Sequence, residues 1–304
     1  MKTTSCPDEL IGPRSQEWWT GPRPQFPTCP GMDDNGLLHS LPQLEFKNIS
    51  RQDLLDYFDN SWALTEVLFS ALQGEEAFMR LPSHQLRHPL IFYYGHPAVV
   101  YVNKLRVAKI LINPVNPHFE NLFEVGVDEM SWDDMSKNNL EWPSVLAVRE
   151  YRRKVYKLIK DLILNDPRLD PIQNPISVDS PSWGLVMGFE HERIHIETTS
   201  VLIRELPLKY VQRPQPWPLS LQNSDKSLIA VKFLKLPETN IKVGKPRDYP
   251  SFGWDNEYGL RSQKIPAVEI SNSLVTNQNY LQFVNEGGYQ EQRYWSTDGW
   301  DWKN

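Results

Sequence analysis

Hydrophobic residues recur at helical spacing in four long stretches of the chain. The first begins after Ser50, where a serine followed by aspartate three residues later has the capping-box pattern that opens a helix, and Gly74 is predicted to close it. The other three run over about 89–113, 143–165 and 182–206, and prolines mark their ends. Four long amphipathic helices with a long second connection are typical of a four-helix bundle.

The residues before and after these four stretches lack hydrophobic residues at helical spacing. The N-terminal residues are rich in proline, glycine and tryptophan, which predicts an extended segment held in place by aromatic side chains. A proline-rich linker near residue 212 leads to short β-prone runs, such as 228–233 and 268–270, and to one short helix over 277–286. We therefore predict a multidomain chain with three parts: an extended segment over 1–48, an all-α four-helix bundle over 49–211, and an irregular α+β domain over 212–304.

Composition narrows the class of protein. The chain has 304 residues, more than the roughly 250–300 at which a single core stops growing. Its 32 Lys and Arg against 38 Asp and Glu leave a net charge of -6, which makes nucleic acid and membrane surfaces poor partners. Cys6 and Cys29 are too few for a disulfide framework, and no leader or membrane span is apparent, so a cytoplasmic location is expected.

Two histidines of the fourth predicted helix have metal-ligand spacing. His191 and His195 differ by about 40° around a helix of 3.6 residues per turn, so both project from one face. Glu197 lies about 200° from His195 and is predicted to point away from that face. Gly184 and Gly188 extend the histidine face, where small residues leave room for a ligand or for a close helix neighbour.

A third ligand has to come from another helix. His96 is deep inside the second predicted helix, beside Pro97, which is expected to kink the helix and re-aim the ring. The remaining histidines are expected to be solvated loop residues: His39, His84, His88 and His118. Three neutral imidazoles suit zinc with a water molecule as well as ferrous iron, so the spacing leaves the metal open. The alternative for each helical histidine is a hydrogen-bonded structural role.

Two further groups of charged residues have simpler interpretations. On the third predicted helix, apolar residues form one stripe, and the basic residues are assigned to the opposite, polar face: Arg149, Arg152, Arg153, Lys154 and Lys157. The triplet Asp255-Asn256-Glu257 is interpreted as a turn rather than an ion site. Neither group is predicted to take part in chemistry.

Several motifs resemble the ergothioneine/ovothiol sulfoxide synthases. They are Tyr94-Gly-His-Pro97, Glu190-His-Glu-Arg-Ile-His-Ile-Glu197, Phe252-Gly-Trp-Asp-Asn-Glu257, the run 265–288, and Tyr294-Trp-Ser-Thr-Asp-Gly-Trp300. This family joins a DinB-like four-helix bundle to a domain of C-type-lectin-like fold that resembles formylglycine-generating enzyme, also called the sulfatase-modifying factor domain. Three motifs are most similar to the ovothiol branch, the 5-histidylcysteine sulfoxide synthases: Trp18-Trp-Thr-Gly21, Asp56-Tyr-Phe-Asp-Asn-Ser-Trp62 and Phe92-Tyr-Tyr-Gly-His96.

The resemblance implies a chemistry and a ligand set. It implies non-haem Fe(II) bound by His96, His191 and His195, and an O2-dependent coupling of the sulfur of L-cysteine to the imidazole carbon of L-histidine. The family's catalytic tyrosine is expected beyond Asn304, so no catalytic residue is assigned, and the chain is expected to be truncated and to bind metal without appreciable turnover. The alternatives are an ergothioneine-branch enzyme, a DinB-like metal-dependent thiol transferase, and a catalytically incomplete metal-binding fragment.

The thiol substrate is predicted from the connection between the second and third helices. Ergothioneine-branch enzymes that use γ-glutamylcysteine have arginines there, whereas the stretch from Glu120 to Glu141 is acidic, with Lys137 as its single base. Without an arginine clamp for the extra carboxylates, free cysteine is the expected substrate. The alternative is that these acids form a solvated loop.

Overall fold

The computed structural model describes residues 10–84, 87–124, 141–219 and 231–304. They divide into two compact units. The first contains the described residues up to 219 together with 246–257, and the second contains those of 231–245 and 258–304. No helix in the described ranges is both long enough and apolar enough to cross a membrane.

The first unit is helical. Its helices are α1 (Arg51–Phe69), α2 (Glu75–Met79), α3 (Leu90–Val107), α4 (Pro117–Leu122), α5 (Val145–Asn165) and α6 (Ser182–Arg204). The long helices α1, α3, α5 and α6 correspond to the four stretches of helical periodicity. The short helices α2 and α4 were not predicted, because one turn or two contains too few residues to show a period.

Local signals explain where the long helices begin. The Ser50 side chain accepts a hydrogen bond from the Asp53 amide, and the Asp53 carboxylate accepts one from the Ser50 amide, so the predicted capping box is present. The Ser144 side chain caps α5 by accepting a hydrogen bond from the Ala147 amide. The predicted end of α1 was wrong: the helix stops at Phe69, and Gly74, at φ 79°, precedes α2 instead.

The four long helices pack in a closed ring. α1 contacts α5 and α6, and α3 contacts the same two helices. Aromatic rings fill the centre: Phe58 stacks on Tyr156 with ring centres 5.5 Å apart and meets Tyr101 edge-on at 5.4 Å. α3 continues through Pro97, whose missing amide removes one hydrogen bond of that helix. The ring places α3 directly beside α6.

The N-terminal segment lies against this helical core. Trp18 is buried, its ring stacks on Tyr94 at 5.6 Å, and its Nε1 donates to the Glu66 carbonyl oxygen. The amides of Thr20 and Gly21 donate to the Glu66 carboxylate. A buried carboxylate is tolerable here because several donors compensate for the lost water.

The basic residues of α5 are not all on a polar face. Arg149 and Arg152 are buried. Arg152 Nε lies 3.9 Å from Glu66 Oε1 and its Nη2 lies 3.8 Å from Glu192 Oε1, while its Nη1 donates to the Tyr94 carbonyl oxygen at 3.0 Å. Arg152 therefore connects α5 with α1, α3 and α6. The assignment to a polar face was wrong for both arginines, because periodicity along one helix does not reveal partners on another.

Residues 246–257 belong to the first unit. Phe252 is buried against Trp183 of α6, with ring centres 4.9 Å apart, and the Phe46 amide donates to the Pro250 carbonyl oxygen. Residues Asp255–Glu257 form an exposed single 3-10 turn in which the Glu257 carboxylate accepts from the Trp254 amide. The interpretation of this triplet as a turn is confirmed.

The second unit contains two small sheets and two short helices. Strand β1 (Phe233–Leu236) pairs antiparallel with β4 (Val268–Ser271), and β2 (Thr239–Val243) pairs antiparallel with β3 (Arg261–Ile265). α7 (Asn277–Asn285) coincides with the predicted short helix, whereas α8 (Thr297–Lys303) was not predicted in the tryptophan-rich stretch that contains it. β4 matches the predicted run 268–270. Half of the run 228–233 lies outside the described residues, and its last residue, Phe233, begins β1.

Candidate metal centre

Three histidines from two helices meet in the first unit. His96 lies on α3, and His191 and His195 lie one turn apart on α6. His191 Nε2 is 3.2 Å from His96 Nε2 and 3.1 Å from His195 Nε2, and one ring nitrogen from each of the three lies within 4.8 Å of the others. The structure thus brings together the three histidines singled out from the sequence, and no other group of three potential ligands occurs among the described residues.

Two glycines of α6 allow α3 to approach this closely. A Cβ atom on Gly188 would lie 2.4 Å from Tyr101 Cδ1, and one on Gly184 would lie 3.2 Å from the Lys104 carbonyl oxygen. Both contacts are with α3. Of the two predicted uses of these small residues, the structure shows a close helix neighbour rather than room for a ligand.

The ring of His96 has one defined orientation. Its Nδ1 lies 2.6 Å from the Phe123 carbonyl oxygen, which can only accept, so Nδ1 carries the proton. Nε2 of the neutral ring is then a bare lone pair directed at His191. A histidine that donates its far nitrogen to a carbonyl while presenting the other is the usual arrangement around a protein-bound metal.

Burial keeps the three imidazoles neutral. It lowers the pKa of His96 to about 4 and of His195 to about 3, and it lowers the pKa of His191 well below its ordinary range, helped by the two neighbouring histidines. Metal ligation requires the neutral ring, so at neutral pH the incoming ion does not have to compete with the second proton of an imidazolium.

The donor set fits a cation. Metal–histidine bonds of about 2.0–2.1 Å place two neighbouring ligand nitrogens about 3 Å apart, which is the spacing of the two Nε2 pairs that involve His191. A single proton on His191 Nε2 can form a good hydrogen bond to only one of the two neighbouring Nε2 atoms. One cation, in contrast, can bind the lone pairs of all three nitrogens. Three imidazoles with the remaining positions left open suit a catalytic ferrous ion or zinc.

Aromatic side chains of α3 line one side of the cluster. Phe92 stacks on His96 with ring centres 4.8 Å apart, and the Tyr93 ring centre lies 5.9 Å from that of His195. His88, in the turn before α3, is buried, with ring centres 4.5 Å from Phe92. The expectation of a solvated His88 was wrong, because an apolar helix start draws the preceding turn inward. The other three histidines are exposed, as expected: His39, His84 and His118. The expectation of a loop was wrong for His118, which lies in the first turn of α4.

The residues between the α6 histidines have structural contacts. Glu192 is fully buried and accepts from the Tyr101 hydroxyl at 2.8 Å, and the Arg193 guanidinium lies 3.7 Å from the Tyr57 ring centre. Glu197 is exposed and lies outside the cluster, so its predicted direction is confirmed. Sequence analysis missed the Phe123 carbonyl as a partner of His96, and no side-chain pattern could have revealed it, because every residue has a carbonyl.

The chain is similar to curated proteins of two names, ergothioneine biosynthesis protein 1 and hercynine oxygenase. The chain is 27% identical over 257 residues to ergothioneine biosynthesis protein 1 of Neurospora crassa, covering 76% of this chain and 27% of that protein. The protein of the same name from Schizosaccharomyces pombe is 27% identical over 256 residues, covering 69% of this chain and 30% of the relative. Hercynine oxygenase of Mycolicibacterium thermoresistibile is 26% identical over 129 residues, which are 42% of this chain and 28% of that enzyme.

The chain therefore spans less than a third of the length of the curated relatives that it matches. No protein-family model matches it. The match to each of the two fungal proteins covers more than two thirds of this chain and so includes most of the described residues.

Proposed function

We propose that this chain carries the metal centre of a non-haem iron sulfoxide synthase, an O2-dependent oxidoreductase that joins a thiol sulfur to the imidazole carbon of histidine or a histidine derivative. The observation that carries the proposal is the convergence of His96, His191 and His195 on one point with ligand spacing. The names of the relatives, ergothioneine biosynthesis protein 1 and hercynine oxygenase, support this class of reaction.

Each part of the site has a task in this proposal. The three Nε2 atoms hold the ion, and the Phe123 carbonyl keeps His96 in the tautomer that can bind it. Bound ferrous iron supplies O2 activation and a common point for thiol and imidazole. Phe92 and Tyr93 exclude water from one side of the cluster. No acid or base in the described residues is assigned to proton transfer.

The substrate pair separates two branches of the proposal. The names of the relatives favour the ergothioneine branch, which uses the trimethylated histidine hercynine. The motifs quoted from the sequence favour the ovothiol branch, with cysteine and histidine. The acidic connection used to predict free cysteine lies largely outside the described residues, and its first acid, Glu120, is buried and accepts from the Val115 and Asn116 amides. Glu120 therefore has a structural role and is not a substrate contact.

A metal analysis tests the ligand set. Protein loaded anaerobically with ferrous iron should retain close to one ion per chain. His96→Ala, His191→Ala and His195→Ala should each lose most of it, because two imidazoles no longer complete the site. Glu197→Gln is the matched control from the same helix and should retain iron. Iron retention by His96→Ala together with its loss from Glu197→Gln would show that the ligand set is wrong.

A product analysis tests the reaction class and the branch. The natural full-length protein is given ferrous iron and O2 with either cysteine plus histidine or γ-glutamylcysteine plus hercynine, and the sulfoxide is detected by mass spectrometry. Preference for the first pair supports the ovothiol branch, and preference for the second supports the ergothioneine branch. Metal-dependent thiol transfer without O2 consumption would instead support a DinB-like transferase with a redox-inert ion.

A further inference from the structure

A glycine precedes His96 in the middle of α3. Gly95 has no left-handed backbone angle, so its conformation does not require glycine. Glycine inside a helix is less stabilising than alanine, which calls for a reason specific to this position. The reason is the neighbouring aromatic ring. A Cβ atom at position 95 would lie 2.8 to 3.0 Å from three atoms of the Phe123 ring, namely Cε1, Cζ and Cδ1.

The Phe123 ring has little freedom to move away. It is fully buried, with ring centres 5.6 Å from Phe119, 5.7 Å from Trp142 and 6.2 Å from Phe92. Phe123 directly follows the last residue of α4, and its backbone amide donates to the Phe119 carbonyl oxygen. Because cores are close-packed, displacing this ring displaces the backbone that carries it.

That backbone includes the oxygen that orients His96. The Phe123 carbonyl oxygen lies 2.6 Å from Nδ1 of His96, and His96 directly follows Gly95 in the sequence. The ring and the carbonyl of one residue therefore contact two consecutive positions of α3. We infer that Gly95 is a positioning residue for His96: the missing side chain admits the Phe123 ring, and this lets the Phe123 carbonyl hold His96 with Nε2 directed at the other two histidines.

The importance of Gly95 for metal binding rests on the proposed function. The hydrogen bond between His96 Nδ1 and the Phe123 carbonyl oxygen does not depend on that function. The first readout is therefore metal-free. In protein labelled with 15N-histidine, the Nδ1–H proton of His96 should give an NMR signal protected from exchange with water. Gly95→Ala should abolish the protected signal, and Gly95→Ala/Phe123→Leu should restore it, because leucine lacks the outer ring atoms that the new methyl group meets.

Gly184→Ala is the matched control. It adds a methyl group that contacts α3 from α6, 3.2 Å from the Lys104 carbonyl oxygen, but that does not touch Phe123. This variant should keep the protected signal. If Gly95→Ala alone does not fold, the double variant decides: a folded double variant with the signal supports the inference, and a folded one without it overturns the inference.

The second readout is ferrous-iron affinity. Loss of a hydrogen bond behind a ligand histidine typically weakens metal binding by about 10–100-fold. Gly95→Ala should show a loss in this range, and the double variant should bind within about threefold of Phe123→Leu. Wild-type affinity or an intact Nδ1–H signal in Gly95→Ala overturns the inference. Wild-type protein that has the signal but binds no iron contradicts the proposed function and leaves the role of Gly95 intact.

Discussion

The two units use the same local signals with different results. In the first unit, α1 begins at a capping box of Ser50 and Asp53, and in the second, α7 begins at a capping box of Thr276 and Asn279. α1 then buries most of its residues, whereas no residue of α7 is buried. Leu281 of α7 is 54% exposed. A cap thus determines where a helix begins, and burial depends on what surrounds it.

The strands show the same contrast. Every residue of β1 and β2 is exposed, although both strands have complete antiparallel partners. Two-stranded sheets are marginal by themselves, because backbone pairing without an apolar face barely offsets the lost chain entropy. The histidine cluster lies in the unit with the core, where side chains can be held in one orientation.

The largest expected effect concerns the buried ion cluster of the first unit. Arg152→Met leaves the buried carboxylates of Glu66 and Glu192 without their cation and should lower the free energy of unfolding by about 3–5 kcal/mol. Urea denaturation followed by far-UV circular dichroism measures this. Lys157→Met, on the exposed side of α5, is the control and should change stability by about 0.5 kcal/mol or less. The variant Arg152→Met/Glu66→Gln/Glu192→Gln should recover part of the loss, and failure to do so would contradict the electrostatic explanation.

A matched pair of leucines compares the units directly. Leu54 of α1 is fully buried, so Leu54→Ala should cost about 2–5 kcal/mol through lost burial and a residual cavity. Leu281→Ala in α7 removes the same atoms from an exposed site and should cost about 0.5 kcal/mol or less. The measurement is the midpoint of the helical unfolding transition in urea. Equal losses at the two positions would mean that Leu281 is buried and that the two units unfold together.

The third prediction concerns pH in metal-free protein. Burial lowers the pKa of His96 to about 4, whereas an unfolded chain has a histidine pKa of about 6.5. Between these values the unfolded state binds a proton that the folded state does not, so stability falls as the pH falls. The contribution of His96 between pH 7 and 5 is about 2 kcal/mol. His96→Gln should therefore show a flatter pH dependence in chelator-treated protein than wild type, and an unchanged slope would contradict the assigned cause.

The smallest effect separates the two capping boxes. Ser50→Ala should destabilise the first unit by about 1 kcal/mol, because the Asp53 amide loses its acceptor in a helix that unfolds with the core. Thr276→Ala should leave the main helical transition unchanged and should speed hydrogen exchange only in the first turn of α7. A shift of the main transition by Thr276→Ala would show that the two units unfold together.

The long helices and the identity of the candidate ligands could be predicted from the sequence. Amphipathic periodicity predicted four long helices, and the Ser50 capping box marked the start of α1 correctly. The four-residue spacing placed His191 and His195 on one face and Glu197 away from it, because helix geometry is a property of local backbone angles. His96 was found because it is a histidine inside an apolar helix.

Tertiary structure alone decided which polar groups are buried and how the ligands are held. Arg152 was assigned to a polar face, and only the folded structure shows that its side chain reaches two carboxylate partners, Glu66 on α1 and Glu192 on α6. The Phe123 carbonyl that orients His96 comes from the end of α4, 27 residues away along the chain. Contacts of this kind depend on which segments the fold brings together, and local patterns contain no information about a partner distant in sequence.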